Sequence, residues 1–219
     1  IATPLHLVIS ASDKTFYPMI VNKFGFQEDF KSATIFSFTY LKILLPLSLS
    51  FIFAMIALFI FIEPILFSEF EINYLILSNT VLAYTFLYIC SPGASALAAI
   101  GKMYIYNIIL SAQIILVVIL SFGSSFLGFG LMEFSFIILF SNFLMWLACT
   151  ISGIGKKQIL TKEGLSKILP SVFAALFFVF INFSGNIIPL DSLKLFYLSI
   201  ILVIIFTFML FLIEVKKLI

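Results

Sequence analysis

Six apolar stretches, each of about 20 residues or slightly more, constrain this chain more than any other feature. They lie at roughly 35–62, 72–92, 103–122, 131–151, 168–188 and 193–213. A helix of about 20 residues spans a hydrocarbon core of about 30 Å, so each stretch is a candidate crossing. Backbone groups left unpaired in lipid cost several kcal/mol each, which restricts the crossings to helices or a closed barrel. A barrel needs strict in–out alternation over about 10 residues. Runs such as Phe51-Ile52-Phe53-Ala54-Met55-Ile56 have none. The expected fold is all-α, a polytopic membrane helix bundle.

Composition agrees. Of 219 residues, 63% are hydrophobic and 10% charged; a soluble domain carries about 45–50% and about 25%. Soluble enzymes, disordered chains and disulfide scaffolds are thereby excluded. Residues 1–12 are too short to cross and read as the end of a truncated transmembrane helix. Residues 13–34, with Asp13, Lys14, Lys23, Glu28, Asp29 and Lys31, read as a solvated cytoplasmic loop or surface helix. Glu63-Pro64, Ser91-Pro92-Gly93, the glycines at 123–130, Gly153, Gly155, Gly185 and Pro189 punctuate the ends of crossings. Pro46 is expected to kink its helix. The six crossings fill 35–213, and 214–219 form a tail. The chain begins with Ile and reads as a fragment.

Orientation follows from lysine placement, since the chain has 12 Lys and no Arg. Lys14, Lys23, Lys31 and Lys42, then Lys102, then Lys156, Lys157, Lys162 and Lys167, then Lys216 and Lys217 fall on alternate connections. Lys194 stands alone on the other side, with Glu63, Glu69, Glu71, Glu133 and Asp191. Basic residues mark the cytoplasmic side. The Lys-rich loops and the C-terminus are therefore expected to be cytoplasmic.

Chemistry-bearing residues are sparse. The single His6 reads as a packing residue near a membrane boundary, with a proton relay as the sharper alternative. Cys90 and Cys149 lie in separate apolar runs and read as small buried hydrophobes. No nucleotide-binding motif, metal cluster, cofactor site or catalytic constellation is present, and no enzyme activity is expected. Two polar stripes remain. Asn73, Thr80, Tyr84, Tyr88 and Ser91 share one helix face; Lys102, Tyr106 and Gln113 share another. They could wall a wet cavity with a cation at its mouth, or simply hydrogen-bond between helices. Lys42, four residues before Pro46, is a second cation near a helix mouth, or a simple interfacial anchor. The small residues from Ser91 to Gly101 favour close helix approach.

The order of these features resembles the C-terminal half of bacterial polysaccharide (O-antigen type) flippases, within the multidrug, oligosaccharidyl-lipid and polysaccharide exporters. Three stretches carry the resemblance. They are Phe16-Tyr17-Pro18 with the Glu28-Asp29-Phe30-Lys31 loop, Leu44-Leu45-Pro46-Leu47 leading to Ile62-Glu63-Pro64-Ile65-Leu66-Phe67, and Ala98-Ala99-Ile100-Gly101-Lys102 before a long helix and glycine turn. They cover about the first 150 residues; the last two helices fit an optional extra pair by count only. Ser68 stands where a Gly often follows, and the helix after Lys102 lacks the usual Asn.

The resemblance implies one lobe of a two-lobe exporter that moves undecaprenyl-diphosphate-linked oligosaccharide across the inner membrane by alternating access. Its partners would be that lipid-linked glycan, membrane lipid and a missing N-terminal lobe, with no nucleic acid. The chain alone is not expected to transport. Lys102 and then Lys42 would meet the diphosphate, and Tyr84, Tyr88, Tyr106 and Gln113 the sugars. A multidrug or peptidoglycan-precursor exporter shares the same topology, but such an exporter needs a membrane carboxylate, and Glu133 sits at the outer boundary. A glycan polymerase needs large external loops, whereas these are about 5–10 residues. A scaffold role for a truncated product completes the alternatives.

Overall fold

The computed structural model describes residues 2–27, 30–66, 73–155, 168–175 and 192–216, together with 159, 161, 164 and 166. Among these residues every regular element is helical and no strand occurs. The helices are α1 (Ala2–Gln27), α2 (Phe30–Leu66), α3 (Tyr74–Ile89), α4 (Ser91–Ala99), α5 (Met103–Phe126), α6 (Leu131–Ile154) and α7 (Ser192–Lys216). Among the described residues, four stretches are long and apolar enough to cross a membrane: Thr34–Phe59, Ile76–Ala99, Met103–Phe126 and Leu131–Ile154. They cover the first four expected crossings and mark a multi-pass membrane protein. The fifth crossing, 168–188, lies largely outside the described residues. The sixth falls on α7.

The first difference from expectation is α1. Residues 13–27, expected as a solvated loop or surface helix, continue a 26-residue helix that packs one face into the bundle. Ile9, Asp13, Phe16 and Ile20 recur at the spacing of one helix face. Ile9 is 3% exposed and Ile20 fully buried, and the Phe16 ring stacks on Tyr40 of α2 at 4.2 Å and 10°. That apolar face holds the helix together although Pro18 lies inside it. Lys14 points outward and is exposed.

The second difference concerns Ser91-Pro92-Gly93, which does not end a crossing. The intervening Cys90 keeps helical angles (φ −68°, ψ −13°), and α4 carries the same path on to Ala99. Pro92 sits in the first turn of α4, where a missing N–H leaves no helical bond unmade. The true stop is Gly101, at φ +70°. There the Gly101 N–H donates to Ala98 at 3.0 Å and the Lys102 N–H to Leu97 at 2.8 Å, the bond pattern of a glycine-closed helix end. Gly128, at φ +72°, closes α5 in the same way. At other ends the helices outrun the expected limits. α2 continues past Glu63-Pro64 to Leu66 and runs unbroken through Pro46, while α7 includes 214–216.

α6 is the spine of the packing: α3, α4 and α5 lie against it, α2 packs on α7, and α1 packs on α2. α4 and α6 approach closely. A Cβ placed on Gly93 would stand 2.5 Å from the Cys149 carbonyl oxygen, and one on Gly153 would overlap the Gly93 carbonyl. Phe86 of α3 meets Phe143 of α6 edge-on, centroids 5.3 Å apart, and Trp146 at 5.5 Å. Polar side chains cross-link the helices. Asn79 donates to Ser135 at 3.1 Å, and Ser50 of α2 to Thr207 of α7 at 2.8 Å. By contrast, Ser124 is the one buried residue of α5. Its Ile108, Ile115, Ile119 and Phe122 are 58–66% exposed, a suitable surface for lipid.

Candidate functional site

Where α1, α3, α4 and α5 meet, the bundle leaves a cavity of about 490 Å³. That volume lies within the range of about 300–1,000 Å³ typical of small-molecule pockets. Its polar lining includes Ser10, Asp13 and Tyr17 of α1, Tyr88 of α3, Ser91 and Ser95 of α4, and Tyr106 of α5. Among the described residues, Asp13 is the one acidic or basic side chain in the wall.

Asp13 is half-buried and tied to two other helices. The Tyr40 hydroxyl of α2 donates to Asp13 Oδ1 at 2.6 Å. The Ser91 hydroxyl of α4 donates to the same oxygen. Tyr40 is 1% exposed, and the Phe16 ring covers its face. The carboxyl group is thus fixed by donors whose own positions are set by packing. A group held this way presents its remaining acceptor capacity to the cavity.

The expected site residues divide. Tyr88 and Tyr106, one from each polar stripe, line the cavity together. Tyr84 does not; it lies one turn away, 42% exposed, its ring stacked on Tyr88 at 6.4 Å. Gln113 serves between helices, its Nε2 donating to Asn142 Oδ1 at 2.8 Å, while Asn142 Nδ2 donates to the Ala83 carbonyl at 3.0 Å. Thr80 donates to its own helix, to the Ile76 carbonyl at 2.7 Å.

Neither lysine is in the cavity wall. Lys102 is exposed at the start of α5, without a side-chain capping bond. Lys42 faces Glu214 of α7 at 3.8 Å, with both side chains about nine-tenths covered (13% and 14% exposed), and stands 5.1 Å over the Phe38 ring. Glu133 caps α6 at the far end, its Oε2 accepting the Gly130 N–H at 2.8 Å. Cys90 and Cys149, distant in sequence, are brought together in one buried cluster. The side chain of His6 lies outside the described residues. Among the described residues, no group of three or more His, Cys, Asp or Glu is arranged to hold a metal.

Asp13 is the cavity residue that sequence reasoning missed. Its charge suggested a loop, yet its spacing from Ile9, Phe16 and Ile20 put it on the buried face of α1. A polar wall of three tyrosines, three serines and one carboxyl group, set among membrane-length helices, can bind a polar or cationic group inside a lipid-facing bundle. No protein-family model matches the chain, and no curated protein or solved structure is significantly similar to it.

Proposed function

We propose that this chain is a membrane-embedded part of an exporter for undecaprenyl-diphosphate-linked oligosaccharide. It would act in the bacterial inner membrane, with the Lys-rich loops and C-terminus cytoplasmic. The observation that carries the reading is the tyrosine-lined cavity around Asp13. Sugars present C–H faces that pack on aromatic rings and hydroxyls that donate to carboxyl oxygens. Tyr17, Tyr88 and Tyr106 offer the rings, and Asp13 and the serines the polar contacts. The diphosphate suits a different place, because an anion gains nothing beside a carboxyl group. Lys102, exposed at the start of α5, is the cation available to it as a point charge. Lys42 is engaged by Glu214 and takes the role of a helix clasp instead.

One observation favours a second reading. A carboxyl group beside three tyrosines also suits an organic cation, held by charge and by ring faces. An exporter of cationic drugs would use that combination.

Binding in lipid nanodiscs separates the two. The full chain is titrated with lipid-linked oligosaccharide and, separately, with tetraphenylphosphonium. The glycan reading expects glycolipid binding that weakens at least about tenfold in Asp13→Asn and in Tyr106→Ala, each worth about 1.4 kcal/mol or more. Lys102→Ala should weaken the glycolipid but not its dephosphorylated glycan. Tetraphenylphosphonium binding lost in Asp13→Asn, with no glycolipid binding, establishes the second reading. Binding of neither removes both.

A further inference from the structure

Three sulfur side chains meet in the bundle at a point the polar cavity chemistry does not use. Cys90 follows the last residue of α3. Met145 and Cys149 stand one turn apart on the same face of α6. They are 2%, 2% and 0% exposed and form one contiguous buried cluster. The two thiols belong to the same packed cluster, and Cys90 Sγ donates to the Leu87 carbonyl at 2.7 Å. No disulfide joins them. Cys90 lies in the cavity wall, so the cluster has a route to water.

We propose that Cys90, Cys149 and Met145 bind a soft monovalent cation, Cu(I) or Ag(I), between α3 and α6. Thiolate and thioether ligands select soft ions, while hard cations need oxygen donors that this cluster lacks. Zinc sites take four protein ligands, or three with an open water position, from thiolate, imidazole and carboxylate, and a thioether does not belong to that set. Charge in apolar surroundings then chooses among soft ions. A monovalent cation displaces one thiol proton: one S–H bond breaks, one S–metal bond forms, and the proton leaves by the cavity. No electron is transferred. The product is neutral, with the second thiol and the thioether as uncharged donors, so no net charge is buried. A divalent ion that displaced only one thiol proton would leave a net positive charge there.

The test uses the full chain in detergent, reduced first and then exchanged into oxygen-free buffer without reductant. Ag(I) is titrated in weak buffer, followed by Trp146 emission, since Trp146 adjoins Met145 and is the only Trp. One equivalent should bind, and one proton per ion should be released. Cys90→Ser and Cys149→Ser should each weaken binding by more than about 100-fold, beyond the roughly 10–100-fold that loss of a supporting group costs; Met145→Leu should weaken it less. Stoichiometry and proton count need only the native chain, so they stand even if a variant folds poorly. Two independent equivalents, no saturable binding, or unchanged affinity in the double Cys90→Ser/Cys149→Ser chain overturns the proposal.

Discussion

Tyr40 and Asp13 are each the other's reason to be where they are. The Tyr40 hydroxyl is buried, and its acceptor in the structure is the Asp13 carboxyl. A buried donor without an acceptor costs about 1–3 kcal/mol, whereas removing donor and acceptor together is nearly neutral. Asp13→Ala should therefore lose about 1–3 kcal/mol of stability and Asp13→Asn less, because the amide oxygen still accepts. Adding Tyr40→Phe to Asp13→Ala should recover part of the loss, as read from thermal unfolding in detergent. The same logic applies to Lys42 and Glu214. The pair is largely covered but 3.8 Å apart, so the attraction is modest, and what costs is burying one charge without the opposite one. Lys42→Met or Glu214→Leu alone should destabilise by about 1–3 kcal/mol, and the double variant by less than either. A double-mutant cycle on unfolding midpoints checks this. A double variant that loses the sum of both singles would mean that the pair contributes nothing jointly.

At the scale of elements, glycine decides how α4 meets α6. Gly93 faces the Cys149 backbone and Gly153 faces the Gly93 backbone, each with no room for a Cβ. Gly93→Ala or Gly153→Ala should force the helices apart and cost about 1–3 kcal/mol, the usual penalty of overpacking. Gly123 is a control: it lies inside α5 with nothing within 4 Å of its missing Cβ. There alanine should stabilise by about 0.5–1 kcal/mol, because helix formation no longer restrains a glycine. Denaturation series on the three variants give the order. Helix existence was legible in the sequence because in lipid an apolar stretch of membrane length is sufficient. The stretches at 103–122 and 131–151 fall inside α5 and α6 for that reason. Boundaries were less legible: Pro92-Gly93 is a break signal in water, but here the proline occupies a first turn and the glycine a helix contact. The stripes located Tyr88 and Tyr106. They also included Gln113, whose partner Asn142 lies 29 positions away on α6. Periodicity on one helix does not disclose a bond to another. Asp13 was misplaced for the converse reason, since a charged residue was read as solvated before its helical register was considered.

For the whole molecule, the contacts fix which helix ends are neighbours. Lys42 near the start of α2 meets Glu214 near the end of α7. Tyr88 near the end of α3 and Tyr106 near the start of α5 share one cavity, and Cys90 meets Cys149 from the second half of α6. These ends gather on one side of the bundle, and the α5–α6 turn around Gly128 lies a full helix length away. With 24 residues, α5 is about 36 Å long at about 1.5 Å per residue, more than the hydrocarbon core of about 30 Å. A cysteine at each end should then report from opposite sides of the membrane. In a Cys90→Ala/Cys149→Ala background, Phe129→Cys should react with a membrane-impermeant maleimide in intact cells. Lys102→Cys should react only after the membrane is opened. Phe129 is 53% exposed and Lys102 is exposed, so neither reaction is limited by burial. Labelling of Lys102→Cys alone in intact cells would invert the orientation and put the Asp13 cavity nearer the outer face. Equal labelling of both from outside would mean that α5 does not cross. The proposed route for the glycan depends on this outcome: a cavity close to the Lys-rich side can receive a substrate made in the cytoplasm, and one close to the other side can only release it.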